Sequence, residues 1–264
     1  MRAIGRRSEN SRWVEDQELR LAKATELRLV TASAKKIPRE LQIKLREHQR
    51  YAFGKPGGNR LRLNGVDFNS CILDKFNLKS ATISASDFGK ASCAKTNFEE
   101  ADLFGSDFSW ADLSNANLDR SDLRGCSFVM ATFKGASVVK ADMRPGQIMK
   151  WGIKPEMSNT NLEGADLEGA DFSSSDLDNA NMKNVNAVEA MFRDSNLHAV
   201  NLAGADLSGA DFSGSRMKGT ILAGANLNGT NLSDVDLSEA NLRNVDLGNA
   251  IMKNTRLDSA TTRC

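Results

Sequence analysis

From Leu61 to Leu257 the chain alternates large apolar, small and polar positions on a strict beat of five, as in Ala101-Asp102-Leu103-Phe104-Gly105-Ser106-Asp107-Phe108-Ser109-Trp110-Ala111-Asp112-Leu113. A helix repeats near 3.6 residues and a strand near 2, so this period fits neither and points to a solenoid. Seventeen large-residue centres run in frame from Leu63 to Met143 and 20 more from Leu162 to Leu257; 35 of the 37 are Leu, Phe, Met, Ile or Val, the exceptions being Cys93 and Ala187. Two residues before each centre stands Ala, Ser, Thr, Val or Cys, except at Leu61 and Phe76. One large and one small inward residue per unit can fill a narrow interior without voids. Phe68, Phe88, Phe108 and Phe128 are 20 apart, as are Phe172, Phe192 and Phe212. Four units therefore complete one square lap, with rings stacked from lap to lap at a strand spacing of about 4.8 Å.

These repeats, for example Ala165-Asp166-Leu167-Glu168-Gly169-Ala170-Asp171-Phe172, resemble those of the pentapeptide-repeat family. The resemblance covers roughly residues 61–260 and implies an all-β solenoid, a right-handed quadrilateral β-helix. The 37 units correspond to about nine laps at four units each, with a small α-helical element ahead of them.

The rest of the chain divides around that coil. Residues 1–12 read as a disordered basic tail and 13–60 as an α-helical N-terminal cap. In its second helix Pro38 fits the first turn, Leu41, Leu45, His48 and Ala52 recur at helical spacing, and Gly54 can end it. The first solenoid block is 61–143. The frame then slips, with 19 residues between Met143 and Leu162, so 144–158 reads as an irregular loop and 159–264 as the second block. In the row of Trp110 and Met130, the next outward residue is expected at Lys150.

Charge separates these parts: residues 1–60 carry 15 Lys/Arg against 7 Asp/Glu, the remainder 20 against 27. Cys71, Cys93 and Cys126 fall at inward positions, spacings that match no zinc site. Free thiols of this kind fit a reducing cytoplasm. No run is apolar enough for a signal peptide or membrane span.

Fourteen units place Asp immediately before the centre and 11 place Asn there. Asn cannot titrate, so the shared role is structural, as local hydrogen-bond acceptor or ladder, rather than acid–base. His198, between Asp178 and Lys218 on its face, lacks a nucleophile or pocket. No catalytic residue, cofactor or metal site is therefore expected, and the chain reads as non-enzymatic.

The outward residues near the break are unusually apolar, which makes Phe104, Trp110, Val129, Met130, Ile148, Met149 and Trp151 the candidate protein-interaction patch. The expectation is a rigid scaffold for another protein of unknown identity, with a homodimer through the C-terminal end of the solenoid as a further contact. The resemblance also admits a DNA mimic that binds and protects DNA gyrase, as quinolone-resistance members do. Against it stand the lysines and arginines that interrupt the acidic rod. Nucleic-acid binding through the basic head is a third reading, resting on charge alone.

Overall fold

A computed structural model describes residues 34–148, 151–153 and 157–261. The expected tail (1–12) and the first expected helix (Trp13 to about Ala34) lie outside the described residues, apart from the final Ala34.

The five-residue unit works as a side plus a corner. At each corner the fourth residue donates back to the first, as Ala111 N–H does to the Phe108 carbonyl at 2.9 Å. The residue two beyond the centre takes the left-handed conformation, for instance Trp110 at φ 65° and Asn115 at φ 54°. Between corners each side is so short that the laps meet through single parallel bridges: Asp67↔Asp87, Asp87↔Asp107 and so on, 20 residues apart. Among the described laps of the coil, β1 (Arg62–Asn64) and β2 (Thr82–Ser84) are long enough to pair as strands, in parallel. Bonds such as Phe88 N–H to Asp107 O (2.6 Å) and Asp107 N–H to Ser86 O (2.9 Å) tie every lap to the next.

The centre residues fill the interior. Phe68, Phe88, Phe108 and Phe128 form one column with successive ring centroids 4.9, 4.4 and 5.3 Å apart. Phe172, Phe192 and Phe212 form another, at 5.1 and 4.7 Å. The two columns stand on different sides: Met130 N–H bonds Ser158, which places Met157 after Phe128, whereas Phe172 follows Met143. Several buried hydroxyls at the small position donate to a carbonyl of the lap before, as Thr160 does to Phe128 O (2.9 Å) and Thr230 to Leu207 O (2.8 Å), whereas Ser121 and Thr220 donate within their own corner, to Leu118 O and Met217 O. The Cys126 thiol donates to the lap before, to Leu103 O at 3.1 Å, and burial pushes its pKa up.

At the break, bridges jump from 20 to 29 residues, as in Thr132↔Asn161, Ser137↔Asp166 and Asp142↔Asp171. The insertion is therefore nine residues, and it contains an antiparallel hairpin, β3 (Gly146–Ile148) with β4 (Trp151–Ile153). The coil resumes at Met157, fully buried at a centre position, two residues ahead of the expected boundary at 159. This corrects the expected row as well: Asn159 (φ 57°), not Lys150, follows Met130, because the hairpin leaves the coil and the ladder closes beneath it.

Ahead of the coil lies α1 (Arg39–Ala52), which begins after Pro38 and buries Leu41, Leu45 and His48. Pro38 suits the helix start because its fixed φ is close to helical and its nitrogen has no proton to satisfy. Leu61 N–H donates to His48 Nδ1 at 3.0 Å, Gln49 donates to Asn77 O at 3.3 Å, and Lys35 bridges to Cys71. With Nδ1 accepting, His48 is neutral. Burial lowers its pKa, and the nearby Arg60 charge lowers it further.

Candidate partner-docking site

Two neighbouring corner columns and the hairpin make up the site. In the first, Phe104-Gly105, Arg124-Gly125 and Arg144-Pro145 succeed one another lap by lap. Each corner is set by an aspartate whose Oδ1 accepts the N–H two residues on: Asp102 from Phe104, Asp122 from Arg124, Asp142 from Arg144. The same carboxylates hold the guanidinium groups. Arg124 bonds Asp122 at 2.6 Å and reaches Asp142 at 3.6 Å, while Arg144 bonds Asp142 at 2.7 Å and reaches Asp171 at 3.3 Å. Burial opposes ionisation of Asp142, but hydrogen bonds from the Arg144 side chain and backbone, with the charges of Arg144 and Arg124, hold its carboxyl below the usual range. Arg124 also lies over the Phe104 ring, 5.6 Å from its centroid.

The hairpin lies against this column through two glycines. A Cβ on Gly146 would stand 3.0 Å from Gly125 Cα and 3.2 Å from the Phe104 ring, a tight approach that a side chain there would widen by a few tenths of an ångström. Gly125 is also at φ +68°, and its N–H donates to Arg144 O at 3.0 Å. In the second column Ser109-Trp110 and Val129-Met130 occupy successive corners, with Trp110 N–H bonded to Val129 O at 2.9 Å.

The structure thus brings Phe104 against the base of the hairpin, and sets Trp110, Val129 and Met130, all half-buried, on the adjoining corner. Ile148 and Trp151 are register partners across the hairpin, and Met149 lies outside the described residues.

Other sequence candidates lie elsewhere. His198 Nδ1 meets Asp178 at 2.8 Å on an open surface, and Lys218 pairs with Glu239 at 3.1 Å. The Asp/Asn column performs the corner bond throughout, and stacked members form ladders, such as Asn181 to Asn161 at 3.1 Å. Among the described residues no group of three or more His, Cys, Asp and Glu could hold a metal ion, and no helix is long and apolar enough to cross a membrane.

Sequence reasoning passed over exposed Ile43 and Tyr51 on α1, Phe53 just after it, and Ile72 and Ile251 on the coil. A signal existed for each group. Ile43 is out of step with Leu41, Leu45 and His48, and the other two isoleucines stand where the repeat calls for Asp or Asn.

The profile of the family described as Pentapeptide repeats matches eight copies, over residues 83–120, 111–144, 156–194, 195–234 and 220–258. The chain is similar to the crystal structure of HetL, a pentapeptide-repeat protein involved in heterocyst differentiation regulation from the cyanobacterium Nostoc. Identity is 23% over 80% of this chain and 91% of that one, with a TM-score of 0.50. It is also similar to QnrB1, a plasmid-mediated fluoroquinolone resistance protein, at 22% identity over 75% and 91% of the two chains with a TM-score of 0.34. A pentapeptide-repeat protein of the Arabidopsis thaliana thylakoid lumen matches at 26% identity over 44% and 67%, with a TM-score of 0.27. No curated protein sequence matches the chain. HetL shares the fold, a β-helix of the right-handed type.

Proposed function

We propose, from the premise that the chain belongs to the pentapeptide-repeat family, that it is a non-enzymatic scaffold docking another protein beside the hairpin. The observation that carries this reading is the β3–β4 insertion, a departure from the lap pattern laid on a corner that pairs Phe104 with Arg124 and adjoins Trp110 and Met130. A partner would find there an apolar centre with charged neighbours already fixed by the Asp122–Arg124–Asp142–Arg144 ladder, the arrangement expected of a binding hot spot. The rest of the proposal concerns what presents that corner. The coil is a rigid rod of about nine laps, counted from four units per lap. Helix α1 covers its first lap, a role supported by the Leu61–His48 and Gln49–Asn77 bonds. Buried free thiols support a reducing compartment. Exposed Leu257, a centre residue of the last described lap, supports end-to-end pairing of two copies there.

The test is affinity capture on the chain and on Trp110→Glu/Met130→Glu. A protein retained by the first and lost by the second, with melting unchanged, is the expected result. Identical retained sets would remove the corner from the reading, and inhibition of gyrase supercoiling by the chain would transfer it to the DNA-mimic class.

A further inference from the structure

Helix α1 turns Leu41, Leu45 and His48 inward, and its opposite pole carries Arg39, Ile43, Arg46 and Arg50, all exposed. Residues 34–62 hold nine Lys/Arg against two Glu. Lys35 pairs with Asp67, whereas Arg39, Arg46 and Arg50 form no ion pair among the described residues.

One side of the coil is its electrostatic opposite. Bridges join Asp166, Asn186, Asp206 and Asn226, and Gly229 N–H carries the same side down to Asn249. The five units concerned, 165–169, 185–189, 205–209, 225–229 and 245–249, contain Asp166, Glu168, Glu189, Asp206 and Asp246 and no Lys or Arg. None of these carboxylates is ion-paired among the described residues; Lys140, lying against Gly169, bounds the side at its upper end. Higher on that side charges are already matched, Lys79 with Glu99 and Arg120 with both Glu99 and Glu100.

We infer that the arginine pole of α1 docks on the acidic side of a second copy of this chain. The dimensions agree. A 14-residue helix is about 21 Å long at 1.5 Å per residue, and four lap steps of about 4.8 Å span about 19 Å. Arg39 and Arg46 are about 10.5 Å apart along the helix, close to the two-lap interval of about 9.6 Å between Asp166 and Asp206. Arg46 and Arg50 are one helical turn apart, near one lap. The contact cannot close within one chain. Gln49 holds α1 at Asn77, and the bridges Asn77↔Asn97, Asn97↔Asn117, Asn117↔Ser137 and Ser137↔Asp166 put four lap steps between it and the acidic side. Exposed Ile43 within the pole favours a protein surface over a phosphate backbone, since it adds apolar contact between the arginines. Head on side is a heterologous contact, so it propagates unless it closes into a ring.

Sedimentation of the full chain over a concentration series, in low and high salt, reads this directly. Self-association at low salt that weakens at least tenfold in high salt is expected, as for exposed charges. Arg46→Glu/Arg50→Glu and Glu168→Lys/Glu189→Lys should each abolish it. Mixing the two variants should restore association, with the two chains alternating, because intact head meets intact side and swapped head meets swapped side. A chain carrying all four substitutions should associate again. Every substituted residue faces solvent, and equal melting temperatures check the fold. A monomer at all concentrations and salts overturns the inference, as does association indifferent to both swaps, which would belong to the last laps. Salt-sensitive binding of single-stranded nucleic acid, lost in the head variant without any self-association, overturns it in favour of a nucleic-acid site.

Discussion

At the residue scale the informative position is the one before each centre. Its side chain supplies Oδ1 to the N–H two residues on, at 2.9 Å from Ser114 to Asp112 and 3.1 Å from Glu163 to Asn161. Either Asp or Asn provides that oxygen, which is why the two interchange. On the acidic side they alternate, Asp166–Asn186–Asp206–Asn226, so an amide donates to the carboxylate above it and like charges stay two laps apart. Asp112→Asn should therefore change stability little, whereas Asp112→Ala should cost about 1 kcal/mol, read from urea midpoints. Asn186→Asp should be worse than its isolated charge implies, because it stacks three carboxylates in adjacent laps.

At the scale of elements, three contacts carry separate predictions. Phe108 is fully buried between Phe88 and Phe128, and Phe108→Ala should cost about 3–5 kcal/mol in chemical denaturation. The Gly125–Gly146 approach is tight for a Cβ, so Gly146→Ala should ease the hairpin away from Phe104 and speed hydrogen exchange in 146–148 and 151–153 while the coil stays protected. His48 is buried neutral, its pKa lowered first by desolvation and then by Arg60. The unfolded chain takes up a proton before the folded one, so the helix contact is fully stable above the ordinary histidine value of 6.5 and weakens as pH falls towards the lower folded value. Exchange of the Leu61 amide should accelerate over that range, and His48→Gln should remove the dependence.

At the scale of the whole molecule the coil was legible because one rule, large and small inward with three positions outward, is repeated until chance is excluded. Overpacking tests that rule. Ala210→Leu at a buried small position should cost about 1–3 kcal/mol, while Asn228→Lys on a corner should cost little, measured as melting shifts. The hairpin was not legible, because Arg144–Pro155 breaks the beat and, although Met157 is in frame with Leu162, Pro155 and Glu156 stand where the small residue and the Asp or Asn belong, so its unit does not read as a repeat. The spacing of 19 between Met143 and Leu162 disguised nine extra residues as one missing. The apolar corner was partly legible: Trp110 and Met130 follow from the period of 20, whereas the contact of Phe104 with Arg124 and Gly146 depends on where the insertion settles. The arginine pole was legible from the helical spacing of Arg39, Ile43, Arg46 and Arg50 opposite Leu41, Leu45 and His48, whereas its distance from the acidic side of the coil depends on where helix and coil are placed.

The change of side by the phenylalanine columns has a mechanical consequence. Laps bound only to their neighbours bear load in series, and the weakest joint sets the strength of the whole. Face-to-face stacking from lap to lap ends at Phe128, is succeeded by Met157, and begins again only at Phe172 on another side. Pulled from its two ends, the molecule should part first along that seam, leaving two shorter spools each still wound about its own aromatic spine.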